Sequence, residues 1–130
     1  MRSLKGLTIV MMGATGGMGT ATALQLASPG VNIAFCSSNE ERVCVLKKRL
    51  ADTGATVFGA VVDVTDCEQI NLFMNSVSER FGHVDVLINF AGLSITAKLN
   101  DFTEDQFHTV MDVNVKGMVF STKEIGRAHV

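Results

Sequence analysis

A chain of 130 residues holds one domain at most, long enough to bury roughly two thirds of the surface its unfolded form exposes. Hydrophobic residues make up 47% and charged residues 18%, with a net charge of -2, which excludes a disordered chain and offers no basic surface to nucleic acid. The first apolar run, residues 7–12, is too short for a signal segment or a membrane span, so a soluble, cytoplasmic protein with no membrane partner is expected.

Residues 7–12 read as a first strand. A glycine-rich stretch follows, then a helix over about 18–28 that Pro29-Gly30 ends. Residues 31–36 are apolar and give a second strand. Ser38-Asn39-Glu40-Glu41 fits a capping box with Ser38 as cap, opening a helix that runs to about Asp52. Residues 56–62 form a third strand, and Thr65-Asp66-Cys67-Glu68 is a second capping box. The helix it opens carries Ile70, Phe73, Met74, Val77 and Phe81 at the spacing of one face laid on a sheet. Residues 84–89 give a fourth strand, ended by Ala91-Gly92. Thr103-Glu104-Asp105-Gln106 caps a last helix, whose period continues through Phe107, Val110, Met111 and Val115. Strands alternating with helical segments signal βα units around a parallel sheet. The predicted fold is α/β, a partial Rossmann-type doubly wound sheet of about four strands with flanking helices.

Cys36, Cys44 and Cys67 show no CxxC or Cys/His spacing, and His83, His108 and His129 do not cluster with them in sequence. Free thiols are therefore expected, with no metal site. The chemistry-bearing segment is Met12-Gly13-Ala14-Thr15-Gly16-Gly17-Met18-Gly19. A glycine turn between a strand and a helix lets backbone approach a pyrophosphate, where free N–H groups and the helix dipole favour an anion. Alone, such a string also fits a flexible turn or the nucleotide loop of an unrelated Rossmann-like methyltransferase.

Gly13, Gly17 and Gly19 resemble the TGxxxGxG loop of the short-chain dehydrogenase/reductase family, with Met12 where the family has threonine. Asp63-Val64 resembles the aspartate-hydrophobic pair whose carboxylate contacts the adenine amino group. Asn89-Phe90-Ala91-Gly92 resembles NNAG with Phe90 in place of the second asparagine, and Asn114-Val115-Lys116-Gly117 resembles NVKG. The resemblance spans Leu4 to about Lys123, with the four motifs in order. It implies a nicotinamide cofactor held by Gly13, Thr15, Gly16, Gly17, Met18, Gly19, Ser37, Ser38, Asp63, Val64, Asn89, Ala91 and Gly92. It also places Asn114 in the catalytic tetrad, anchoring a water in a proton relay. The two departures predict a missing polar network at Phe90 and a looser glycine loop at Met12.

NAD-preferring relatives place an aspartate at the end of the second strand, whereas Cys36-Ser37-Ser38-Asn39 carries no acid. NADP is thus preferred over NAD, with Arg42, one turn into the helix, as the nearest positive charge. By the same resemblance the complete enzyme is a homo-oligomer acting on a small alcohol or carbonyl compound. Its reaction requires a serine and a YxxxK tyrosine and lysine downstream of NVKG. Thirteen residues follow Gly117 and the chain has no tyrosine, so this portion is expected to be inactive. The segment 125–130, Ile-Gly-Arg-Ala-His-Val, breaks the apolar pattern and back-translates to ATC GGA AGA GCA CAC GTC, a common sequencing-library adapter. The expected organisation is a partial dinucleotide-binding domain over 1–124 and a non-native tail over 125–130. The rival readings are a non-enzymatic dinucleotide-binding or sensor module, and a nucleotide-sugar epimerase or methyltransferase of related architecture.

Overall fold

A computed structural model describes residues 3–128. Four strands form one parallel sheet: β1 (Thr8–Met12), β2 (Asn32–Ser37), β3 (Thr56–Val61) and β4 (Val86–Asn89), in the order β3-β2-β1-β4. The order reverses at β1, whose neighbours are β2 on one side and β4 on the other. That reversal is the switch point of a doubly wound sheet, where a crevice opens beyond the carboxyl ends of the strands.

The helices are α1 (Gly17–Leu26), α2 (Glu40–Ala51), α3 (Cys67–Phe81), α4 (Glu104–Met111) and α5 (Gly117–Ala128). Successive β1 side chains point to opposite faces of the sheet, and each face has its own core. Ile9 and Met11 pack with Ile33 and Phe35 of β2, Ala23 of α1, and Leu46 and Leu50 of α2. Val10 and Met12 pack with Ala34, Cys36 and the predicted α3 stripe of Ile70, Phe73, Met74 and Val77, with Phe120 and Ile125 of α5 against the margin. Both faces of β1 are covered, so all five of its residues are buried.

Two predicted caps lie one residue off. Asn39, not Ser38, caps α2, its Oδ1 accepting from Arg42 N at 2.9 Å. Asp66, not Thr65, caps α3, accepting from Glu68 N and Gln69 N. In each motif two adjacent residues are able to cap. The amide or carboxylate at the later position takes the bond, which releases Ser38 and Thr65 for other partners. The third box forms as expected, with Thr103 and Gln106 satisfying each other's backbone N–H.

The predicted last helix is in fact two. A π-helical turn over Asp112–Lys116 separates α4 from α5, and α5 continues through the adapter-like segment to Ala128. Ile125 is partly buried and Arg127 pairs with Glu124 at 3.4 Å. His129 and Val130 lie outside the described residues.

Candidate dinucleotide site

β1 ends on the glycine turn. Gly13 takes φ +67, and a Cβ there would sit 2.6 Å from the Ala91 backbone. No side chain fits, because the loop after β1 lies directly on the loop after β4. Gly19 serves a different contact: its Cβ would meet Ala14 O at 2.6 Å, so α1 packs tightly on the turn that precedes it. Gly16 and Gly17 face open space, and Gly16 caps α1 without any side-chain hydrogen bond. The first N–H groups of α1 thus have no side-chain cap, and the positive end of the helix dipole points the same way.

Backbone bonds tie this loop to its neighbours: Phe90 N donates to Met12 O at 2.8 Å and Ala14 N to Cys36 O at 3.1 Å. The Met12 thioether accepts from the Cys36 thiol at 3.7 Å in the core below. Burial pushes that thiol up to about 12, only partly offset by a hydrogen bond from Gly13 backbone. Phe90 packs partly buried against the Ile9 and Met11 cluster, so apolar contact occupies the place of the missing amide.

A cavity of about 400 Å³ opens at the switch point. It gathers eight of the predicted residues: Gly13, Gly16, Ser37, Ser38, Asp63, Val64, Ala91 and Gly92. Arg42, Val62, Phe90, Leu93 and Val113 complete its wall. The wall contributions of Leu93 and Val113 were not foreseen, and the only sequence signal was their adjacency to the NNAG-like and NVKG-like motifs.

The remaining predicted residues lie elsewhere. Gly17 and the 78% exposed Met18 stand in the first turn of α1, outside the wall, and Gly19 is buried in packing. Asn89 turns its Oδ1 to Ala91 N at 3.0 Å, holding the backbone on which Gly13 rests. Thr15 lines a second cavity, of about 460 Å³, between α1 and α2, and its hydroxyl meets the Ser37 hydroxyl at 2.6 Å.

Asp63 is exposed at the end of β3. Hydrogen bonds from the Thr65 hydroxyl at 2.7 Å and the Thr65 N–H at 2.9 Å hold its carboxyl below the ordinary 3.8, and the positive charge of Lys116 adds to this. Both bonds fall on Oδ1. An ionised carboxylate with a second oxygen at the cavity rim is an acceptor suited to an exocyclic amino group.

Asn114 sits in the π-helical turn. Its Oδ1 accepts from Leu93 N and its Nδ2 donates to Leu93 O, both at 2.8 Å. The amide thus satisfies both polar groups of one backbone unit in the loop that follows β4. Gly92 leaves room for this, since a Cβ there would lie 3.2 Å from Asn114 Oδ1. Gly117, with a would-be Cβ 2.9 Å from Val64 O, lets α5 approach the end of β3 equally closely.

A parallel sheet with an uncapped helix N-terminus and a cavity at its switch point defines the doubly wound nucleotide-binding class. Comparison with known proteins narrows this. The chain belongs to the short-chain dehydrogenase family, whose model matches residues 7–129. It is 36% identical over 117 residues to an uncharacterized oxidoreductase of Staphylococcus epidermidis, covering 90% of this chain and 50% of that protein. Among solved structures, an NAD+-bound xylitol dehydrogenase superposes with a TM-score of 0.92 at 32% identity, over 98% of this chain and 49% of that one. A short chain dehydrogenase from Mycobacterium smegmatis gives 0.90 at 29% identity, over 96% and 53%. The chain thus spans about half the length of the relatives it matches.

Proposed function

We propose that this chain is the cofactor-binding part of an oxidoreductase that moves a hydride between a nicotinamide dinucleotide and an alcohol or carbonyl carbon. One observation carries the reading: the bare N-terminus of α1 at Gly16 opens beside a cavity built from Gly13, Asp63, Ala91 and Gly92. When bound, the cofactor supplies the hydride chemistry. The chain's own residues bind and orient it. The N–H groups at the start of α1 hold the pyrophosphate, the Asp63 carboxylate accepts from the adenine amino group, and Val64 offers apolar contact. Asn89, Ala91 and Gly92 form the backbone ledge beneath. Asn114 is a positioning residue for Leu93 and, on family grounds, the anchor of a water in the proton relay.

The absence of an acid at Ser37 and Ser38 favours NADP over NAD. A carboxylate there would accept from both ribose hydroxyls and repel a 2′-phosphate, and neither effect is available. The whole protein is expected to be a homo-oligomer acting on a small alcohol or carbonyl compound in the cytoplasm. No helix among the described residues is long and apolar enough to cross a membrane. Residues 1–124 are read as the partial domain and 125–130 as foreign. That α5 forms through Ala128 does not bear on this origin, since Ile125, Arg127 and Ala128 tolerate a helix whatever encodes them and Gly126 costs it only about 1 kcal/mol.

The test is titration of NADPH and NADH fluorescence with the purified chain. Saturable binding is expected, and its absence refutes the reading. With no tyrosine, the chain alone is expected to bind without turnover. Sequencing the source locus beyond codon 124 separates the enzyme from a non-enzymatic sensor module: a serine and a YxxxK motif support the first, and an in-frame stop the second.

A further inference from the structure

The turn after β3 engages every polar group of Asp63 but one. The backbone N–H of Asp63 donates to Gln69 Oε1 at 2.8 Å, and its C=O accepts from Asp66 N at 3.0 Å. Its Oδ1 takes both the N–H and the hydroxyl of Thr65. Among the described residues only Oδ2 has no partner. Turning the carboxylate would break the Thr65 bonds, so Oδ2 presents its lone pairs in one direction.

Gln69 holds the other end of this arrangement. It stands in the first turn of α3, outside the wall of the switch-point cavity, and lines instead a groove of about 290 Å³ with Ala60, Val62 and Leu72. Its amide makes two bonds at once: Oε1 accepts from Asp63 N, and Nε2 donates to Oδ2 of the helix cap Asp66 at 3.1 Å. The side chain thereby splices the end of β3 to the start of α3 and sets the backbone from which Asp63 projects. β3 is an edge strand, so no neighbouring strand can accept from Asp63 N in its place. Without Gln69 that N–H is left to water.

Adenine carries an amino group where hypoxanthine carries a carbonyl oxygen, and the adjoining ring nitrogen is an acceptor in the first base and an N–H donor in the second. A carboxylate free to turn can accept from either base. A fixed one accepts from the amino group and meets the carbonyl oxygen as a like partial charge. Resting on the dinucleotide reading above, we propose that Gln69 is a positioning residue that sets the base selectivity of this cavity. It touches no ligand. Gln69 fixes the Asp63 backbone, Thr65 fixes the carboxylate, and Oδ2 is left as an acceptor that cannot follow the wrong base. Selectivity for an amino purine over an oxo purine thus comes from rigidity built behind the carboxylate, through an exposed residue of α3, and not from the carboxylate alone.

The experiment titrates the purified chain with NADPH and with its counterpart in which hypoxanthine replaces adenine, following the fluorescence of the reduced nicotinamide. The two ligands share every other group, so their affinity ratio reports the base alone. Wild type is expected to favour NADPH by about tenfold to hundredfold, the range of a charge-assisted hydrogen bond. Asp63→Ala should bring the ratio to about one. Gln69→Ala should reduce it by about twofold to tenfold, the range of one neutral hydrogen bond. Gln69→Glu, which keeps the oxygen that accepts from Asp63 N, should retain more of the ratio than Gln69→Ala. Leu72→Ala, in the same groove but without a bond to Asp63, controls for a general loss of stability and should leave the ratio unchanged. Three outcomes overturn the proposal and leave the Asp63 contact standing: equal loss of both ligands or no loss in Gln69→Ala, a Gln69→Glu ratio no better than that of Gln69→Ala, or an equal fall in Leu72→Ala. A wild type that binds neither ligand or both equally, or an Asp63→Ala ratio equal to wild type, overturns the contact and the proposal together.

Discussion

Replacing Gly13 with alanine tests the closest approach in the site. The added Cβ would sit 2.6 Å from both Ala91 N and Ala91 Cα, and 3.0 Å from Ala91 Cβ. Two of these three are backbone atoms that cannot rotate away. Ala91 is itself fixed by the bond from its N–H to Asn89 Oδ1, and the next ladder bond, Phe90 N to Met12 O, ties the same two segments. The φ of +67 adds a left-handed penalty of about 1–2 kcal/mol for a residue with a Cβ. Relief of the overlap, by parting β1 from β4, adds about 1–3 kcal/mol. The sum, about 2–5 kcal/mol, is a large share of the roughly 5–15 kcal/mol typical of a domain. In urea unfolding followed by circular dichroism, Gly13→Ala should lower the midpoint in proportion. Gly17→Ala, which meets open space, should leave it within about 0.5 kcal/mol. Equal midpoints for Gly13→Ala and wild type would show that the two loops do not touch as described, and the reasoning would fail.

Asn114→Ala should cost about 1–3 kcal/mol by leaving Leu93 N–H and C=O without partners, and should weaken dinucleotide binding through Leu93 in the cavity wall; unchanged stability would refute the clamp. The Asp63 carboxyl, lowered by its Thr65 bonds, should titrate below 3.8 by NMR, and Thr65→Val should raise it. Since its folded-state pKa lies below the unfolded one, its contribution to stability is complete above about pH 4 and is lost as pH falls through the folded value. A thiol reagent at pH 8 should modify exposed Cys44 at once and leave Cys36, buried with a pKa near 12, untouched until the chain unfolds; rapid loss of the Cys36 thiol in the native state would contradict its burial.

The sheet was legible because hydrophobic period and turn residues act locally. Runs buried on both faces, such as Thr8–Met12, read as uninterrupted apolar segments, and the α3 stripe announced its own buried side. The site was half legible. Gly13 and Gly19 carry their purpose in residue type, because a Cβ at either would lie 2.6 Å from a backbone atom. The cap of α2 was misplaced because Ser38 and Asn39 are both capable, and the choice rests on chain direction after β2, which no local pattern encodes. Thr15 looked like a residue of the glycine turn, yet its partner is Ser37, twenty-two residues away. Such pairings belong to tertiary structure alone. The π-helical turn was invisible for a related reason: Phe107, Val110, Met111 and Val115 satisfy an α-helical period, and the widened turn is set by what Asn114 and Gly117 touch.

That widened turn works as a phase adjuster. A π-helical turn holds about one residue more than an α-turn, and each residue of a helix advances about 100° around the axis. The residue stored between Asp112 and Lys116 therefore sets the rotation of everything after it. Remove it, and α5 turns by more than a quarter of a revolution: Gly117 leaves Val64, Ser121 leaves the interior, and exposed Met118 or Val119 swings toward the sheet. A one-residue deletion here is thus a change of the whole helical face. Substitutions along α5 are open to gradual trial, while its length upstream is locked to the loop after β4 through a single amide.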